Sequence, residues 1–154
     1  MEEVNVRFAN IEDKKDLATL ISEDYVTQIG EEFKIEDVLY MLNMELSKDH
    51  INYFVAEKNN EIIGYVKCVE KGNDCHGESI YVKHGFRGQG VGFELHKTMT
   101  DAARSNGFLR YLTQVKEDNV ASIKIHDKLN FTIDKIEDKV MYLSLNLQQD
   151  FVYQ

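Results

Sequence analysis

The sequence predicts a single α/β domain of the α+β kind over residues 1–154, with a mixed, mostly antiparallel sheet of about seven strands and helices on both faces. Three observations predict it. The apolar pattern switches between strand and helix periods in the order β-α-α-β-β-β-α-β-α-β-β. Turn residues join three consecutive strand patterns in the middle of the chain, so that part of the sheet is antiparallel. A glycine-dense stretch, Arg87-Gly88-Gln89-Gly90-Val91-Gly92, ends the third of these strands and opens a helix.

Val4, Val6 and Phe8 alternate with Asn5 and Arg7, the pattern of a first strand. Asn10 is a candidate N-cap with Asp13 in the turn after it, and Leu17, Leu20 and Ile21 follow at helical spacing. A second helix is expected from Ile35 to Lys48, with Val38, Leu39, Leu42 and Leu46 on one face. The segment between, Tyr25 to Phe33, has aromatic ends and Glu31-Glu32 inside. Ile51–Ala56 and Ile62–Val69 are apolar runs joined by Lys58-Asn59-Asn60-Glu61, a hairpin signal. Lys71-Gly72-Asn73-Asp74 is a further turn, leading to a strand over Glu78–Lys83. After the glycines, Val91, Leu95, Met99 and Ala102 form a helical stripe that Asn106-Gly107 stops. Leu109–Val115 reads as a strand, Asp118-Asn119 as the cap of a helix through Leu129, and Phe131–Ile136 with Val140–Leu147 as a closing strand pair.

Composition removes several classes of function. Lys plus Arg number 18 against 27 Asp plus Glu, a formal charge of −9, whereas a nucleic-acid binder shows a basic face. No apolar run approaches the roughly 18 residues of a membrane span. Met1-Glu2-Glu3 lacks the basic-then-apolar character of an export signal. Cys68 and Cys75 are too few for a disulfide framework, so reduced thiols and a cytoplasmic location are expected. Cys68, Cys75, His76 and His84 lack Cys-x-x-Cys knuckles, and no metal is expected. The chain has no proline, no repeat and no low-complexity tract to mark a second domain.

A strand-to-helix turn rich in glycine leaves backbone N–H groups uncovered at the positive end of a helix, which suits a phosphate or pyrophosphate. Gly85 and Gly90 have P-loop spacing, but Val91-Gly92 stand where Lys and Ser or Thr are required. Gly88-x-Gly90-x-Gly92 also fails the dinucleotide fingerprint. The pattern that fits is Arg/Gln-x-x-Gly-x-Gly/Ala, met by Arg87, Gly90 and Gly92. It resembles the acetyl-CoA pyrophosphate loop of the GNAT-type N-acetyltransferase superfamily. A second family pattern, Asn-x-x-Ala-x-x-Leu-Tyr-x-x-x-Gly-Phe, is matched in part near the C-terminus. Asn119, Lys128-Leu129 and Phe131 fit it; Ser122, His126 and Asn130 depart from it. The order of elements agrees with the family over nearly the whole chain.

The resemblance implies a GNAT-like acyl-CoA N-acyltransferase fold with acetyl-CoA as co-substrate. Its pyrophosphate would lie over Arg87, Gly88, Gln89, Gly90, Val91 and Gly92. Its pantetheine arm would lie between splayed strands at Glu78–Lys83 and Leu109–Val115, beside Tyr81 and Val82, with Asn119 and Ser122 opposite. The implied reaction is direct transfer of acetyl to a primary amine in a ternary complex, where holding the reactants in line supplies much of the acceleration. Backbone N–H groups near Val82 would polarise the thioester carbonyl. An ammonium must lose a proton before attack, and Glu78 is the candidate base. His126 stands where family members carry the Tyr that protonates the leaving thiolate, with water or Tyr142 as alternatives. The acidic cluster Glu23, Asp24, Glu31, Glu32, Glu36 and Asp37 suggests a small cationic acceptor, a polyamine or amino sugar, walled by Tyr25, Glu31, Glu32 and Phe33. The alternatives are a protein or peptide acceptor, or a non-catalytic acyl-CoA-binding regulatory module. No nucleic-acid or membrane partner is expected, and a homodimer is left open.

Overall fold

A computed structural model of the chain describes residues 3–31 and 33–148. Its strands are β1 (Asn5–Phe8), β2 (Ile51–Lys58), β3 (Glu61–Lys71), β4 (Asp74–Val82), β5 (Arg110–Lys116), β6 (Thr132–Glu137) and β7 (Val140–Asn146). Its helices are α1 (Lys14–Ile29), α2 (Ile35–Glu45), α3 (Val91–Ser105) and α4 (Val120–Lys128). The strands form one sheet in the order β1-β2-β3-β4-β5-β7-β6. Only β4 and β5 are parallel; every other neighbouring pair is antiparallel. The sheet is therefore mixed and mostly antiparallel, as the sequence predicts.

Local chemistry sets the element ends. Asn10 caps a short 3-10 turn, Ile11–Asp13, that runs into α1: its side chain accepts from the Glu12 N–H at 2.9 Å, and Asp13 accepts from the Asn10 N–H at 2.8 Å. Asp13 is buried and ion-paired with Arg7 at 2.7 Å, which ties β1 to the helix start. The hydrogen-bonded guanidinium holds the Asp13 carboxyl below the usual range. Gly30, at φ 77°, ends α1 in a left-handed cap. Asn59 and Asn60, both at positive φ, turn the β2–β3 hairpin.

Two layers of helix sandwich the sheet. α1 and α2 bury Leu17, Ile21, Val38 and Leu42 against Tyr53, Val55, Tyr65 and Tyr81. On the opposite face, Val91, Leu95 and Met99 of α3 pack on Phe54, Ile63, Val66 and Tyr111, with the free thiols Cys68 and Cys75 buried beside them. Ile123 of α4 and Phe131 cover Val115, Met141 and Leu143. No residue of β5, β6 or β7 joins the α1/α2 cluster, so among the described residues that part of the sheet face is open.

Two boundaries differ from expectation. β4 begins at Asp74 rather than Glu78, because Asp74 to Gly77 pair with β5 as well as with β3. α2 ends at Glu45 rather than Lys48, where the Ser47 hydroxyl donates to the Met44 carbonyl and competes with the helical pattern. Among the described residues no helix is long and apolar enough to cross a membrane.

Candidate active site

β4 and β5 part in the middle of the sheet. Their pairing runs from Asp74↔Arg110 to Gly77↔Thr113 and stops, although β4 continues to Val82 and β5 to Lys116. A bulge lies at the parting point. Lys67 pairs with Ser79 and Cys68 with Gly77, leaving Glu78 without a partner on β3. Such a bulge bends its strand and turns it from its neighbour. Gly77, the last β4 residue paired with β5, sits over the Tyr111 ring: a Cβ there would collide with the Tyr111 hydroxyl oxygen. The strands that part are the two expected to, and on β4 the parting starts at the expected Glu78; on β5 it covers only Gln114 to Lys116, since Arg110 to Thr113 are paired with β4.

The edge of β4 facing the gap carries usable backbone groups. The Lys83 N–H donates to the Ile63 carbonyl at 2.8 Å. Antiparallel alternation then turns the N–H groups of Ile80 and Val82 away from β3, toward the gap. The Val82 carbonyl faces the same way and accepts from Arg87 Nε at 2.8 Å.

The loop after β4 is shaped by glycine conformation. Gly85, Gly88 and Gly90 take φ of 92°, 76° and 85°. Gly90 occupies the N-cap of α3, and no side chain caps the helix there. The first helical bond, Glu94 N–H to Gly90 carbonyl, leaves the N–H groups of Val91, Gly92 and Phe93 without helical acceptors. Gln89 braces the loop by donating to the Gly85 carbonyl at 3.1 Å. A Cβ on Gly92 would come within 3.3 Å of Ile125, so this glycine lets α4 approach α3. Arg87 folds back, its guanidinium carbon 5.2 Å from the Tyr81 ring centroid.

Across the gap, Asn119 caps α4 by accepting from the Ser122 N–H at 3.1 Å. His126 is 2% exposed and meets His96 edge-on, ring centroids 4.5 Å apart. Its Nδ1 lies 2.7 Å from the Ser122 carbonyl oxygen, which can only accept, so Nδ1 carries the proton. Nε2 is then a bare lone pair, buried without a partner among the described residues, and His96 Nδ1 is likewise buried without one. Burial lowers the His126 pKa. Burial first, and His126 second, push His96 down to about 3. Both rings line a narrow slot with Ile80, Tyr111 and Thr113. The ring expected to act as general acid is therefore neutral at rest, with its unprotonated nitrogen buried. His96 escaped the sequence reading. Its signal is a second stripe on α3, Gly92-His96-Thr100, beside the apolar one, with His96 and Thr100 buried.

On the α1/α2 side the gap opens into a cleft of about 750 Å³ whose lining includes Tyr25, Lys67, Lys71, Glu78, Lys135 and Tyr142. The Glu78 carboxylate is 3.8 Å from the Lys67 ammonium, which is bonded to Glu45 at 2.6 Å. Tyr25 stacks on Phe33 at 4.5 Å, but Phe33 faces a separate hollow of about 600 Å³ with Glu23, Tyr81 and Lys83. Glu31 is exposed and lines neither, and Glu32 lies outside the described residues. The other acids of the expected cluster scatter. Asp24 is buried, accepts from the Tyr65 hydroxyl at 2.8 Å and has its carboxyl pKa raised by that burial, while Glu36 and Asp37 occupy the exposed first turn of α2.

Known proteins share this fold. A family model described as the acetyltransferase (GNAT) family matches residues 15–131, more than half of the chain. An N-acetyltransferase from Staphylococcus aureus Mu50 superposes with a TM-score of 0.80 at 19% identity, over 95% of this chain and 99% of that one. A putative acetyltransferase from Salmonella typhimurium, yncA, whose structure contains its cofactor acetyl-CoA, superposes with a TM-score of 0.77 at 19% identity over 95% of each chain. At these identities the likeness is one of fold. The spore coat polysaccharide biosynthesis protein SpsD of Bacillus subtilis (strain 168) is 25% identical over 81 residues, which are 53% of this chain and 28% of that relative. The matched stretch thus spans little more than a quarter of SpsD.

Proposed function

The chain belongs to the acetyltransferase (GNAT) family, and from that premise we propose that it transfers an acetyl group from acetyl-CoA to a primary amine, with both reactants bound together. The observation that carries this reading is the continuity of the site: an uncapped helix start at Gly90, a parted strand pair beyond it, and a carboxylate at the bulge between them.

The residues present fit acetyl-CoA. Backbone N–H groups from Gly88 to Gly92 would hold the pyrophosphate, with Arg87 adding positive charge after swinging off Tyr81. The free edge of β4 at Ile80 and Val82, with Tyr81 on that strand, would pair with the amides of the pantetheine arm. Asn119 and Ser122 would flank the arm from α4. Acetyl-CoA supplies the activated acetyl thioester. The Val82 N–H would stabilise negative charge developing on the acetyl oxygen. Glu78 would take the proton of the acceptor ammonium, directly or through a water. For His126 we propose a positioning role: its Nε2, now without a partner, would accept a hydrogen bond once the slot is filled. Tyr142 lines the cleft rather than the slot, which supports a role on the amine's side.

Among acceptors, the amino sugar is the reading we adopt over the polyamine. The similarity to a polysaccharide biosynthesis protein supports it, and so does the scatter of the acids on which the polyamine reading rested.

Calorimetry on wild type and Gly90→Glu tests the cofactor site. Wild type is expected to bind acetyl-CoA, and the variant to lose measurable binding, because the new side chain needs positive φ, blocks the backbone and repels phosphate. A folded variant with unchanged affinity overturns the assignment. Thiol release across a panel of amines tests turnover; binding without release with any amine would make the protein a non-catalytic acyl-CoA-binding module.

A further inference from the structure

A chain of polar side chains runs from α2 to the bulge behind the cleft. Tyr53 of β2 and Lys67 of β3 are directly opposite in register, on the sheet face that α1 and α2 cover. Glu45, the last residue of α2, reaches both. One of its carboxylate oxygens accepts from the Tyr53 hydroxyl at 2.6 Å, the other from the Lys67 ammonium at 2.6 Å. The ammonium also lies 5.9 Å from the Tyr53 ring centroid. The Lys67 and Glu45 side chains are 17% and 15% exposed, so this is not one of the solvated pairs that contribute little. Burial, then Glu45, raises the Tyr53 hydroxyl pKa, and the hydroxyl stays a donor.

The same ammonium lies 3.8 Å from a Glu78 carboxylate oxygen. That is close enough for attraction and too long for a hydrogen bond. Of the two carboxylates within its reach, Lys67 bonds the one that Tyr53 also bonds and only attracts the one at the bulge. The margin is small: a movement of about 1 Å would bring the ammonium to bonding distance from Glu78. Bonded to an ammonium, a carboxylate has a lone pair occupied and is a poorer acceptor of a further proton. Among the described residues Lys67 is the one base ion-paired with Glu78. The other titratable groups around Glu78 are Tyr25, Lys71, His76, Asp134, Lys135 and Tyr142 along the cleft, and Tyr111, His96 and His126 in the slot.

We infer that Glu45 and Lys67 are positioning residues for acetyl transfer. Glu45, backed by Tyr53, holds Lys67 where its charge draws the Glu78 carboxylate without bonding it, which leaves the carboxylate oxygens open to the acceptor ammonium. The inference rests on the acetyl-transfer reading, with Glu78 as base.

The test uses the full chain as wild type, Lys67→Met, Lys67→Arg and Glu45→Gln. The last keeps an oxygen for the Tyr53 hydroxyl and removes the charge that holds the lysine. Thiol release is followed against pH with saturating acetyl-CoA and the best amine of the panel. Carbon NMR titrates the Glu78 carboxyl, assigned by its loss in Glu78→Gln, with neither coenzyme nor amine present. Lys67→Met removes the cation, so the acid limb of the rate profile and the NMR midpoint are both expected to move up by about one pH unit. Glu45→Gln lets the lysine close on Glu78, so both are expected to move down by about as much, and kcat above the limb to fall about tenfold. Lys67→Arg keeps the charge and is expected to hold the wild-type midpoint. Acetyl-CoA affinity, measured by calorimetry, is expected to be unchanged in all three. A general loosening of the fold does not produce midpoints of opposite sign. Lys67→Met and Glu45→Gln shifting the NMR midpoint in the same direction, or not at all, overturns the inference. The expected NMR shifts without thiol release from any amine would instead sink the acetyl-transfer reading, since the NMR arm is read without it.

Discussion

Two buried imidazoles with unpaired nitrogens are an unusual thing to keep in a slot, and they leave a signature in stability. The titratable groups around that slot are His96, His126, Glu78 and Tyr111. His96 is pushed down to about 3, so between there and its unfolded value near 6.5 the unfolded chain holds a proton that the folded chain lacks. Stability is therefore full above about 6.5 and falls as pH drops toward 3, by about 1.4 kcal/mol per pH unit for each such histidine. His96→Leu removes one of them together with its orphaned Nδ1. We expect its denaturation free energy to match or exceed wild type at pH 7 and to fall less steeply below pH 6. Urea unfolding of both proteins from pH 4 to 8 measures this, and parallel curves would refute it.

At the scale of elements, the bulge at Glu78 sets whether the slot exists. Deleting Glu78 makes Gly77 and Ser79 consecutive opposite Cys68 and Lys67, which restores regular pairing with β3. β4 should then run on beside β5 and close the gap. The expected outcome is a folded protein with acetyl-CoA binding abolished, while Glu78→Gln keeps the binding and loses turnover. Full affinity in the deletion variant would show that the bulge does not hold the slot open. None of this was legible locally. The seven strands, four helices and glycine loop followed from period and turn chemistry, and so did the fold class. The start of β4 did not, since Asp74-Cys75-His76-Gly77 has no strand-like alternation and is held by partners on both sides. His96 was hidden because the helix was traced through its apolar stripe. The acidic run from Glu23 to Asp37 scatters for a geometric reason: successive helical residues point about 100° apart, so Glu23 lines one hollow and Asp24 enters the core, while Glu31 lies past the end of α1 in solvent.

For the whole molecule, the sheet is two antiparallel bodies joined by one short parallel seam. β1 to β4 form a meander clamped between helix layers, β5 to β7 form a smaller unit with one open face, and four register pairs connect them. Such a seam gives proteins separate units of cooperative opening. Amide hydrogen exchange should therefore find two free energies without ligand, a higher one across β2 and β3 and a lower one across β5 and β7. A single common value would exclude this. On the acetyl-transfer reading, a coenzyme arm laid along the free edge of β4 bridges both units where their own ladder stops. Protection gained on adding acetyl-CoA should then be largest in β5 and β7, elements that lie beyond the glycine loop. The missing hydrogen bonds between β4 and β5 would thus act as an unfinished part of the fold, and the substrate would complete it.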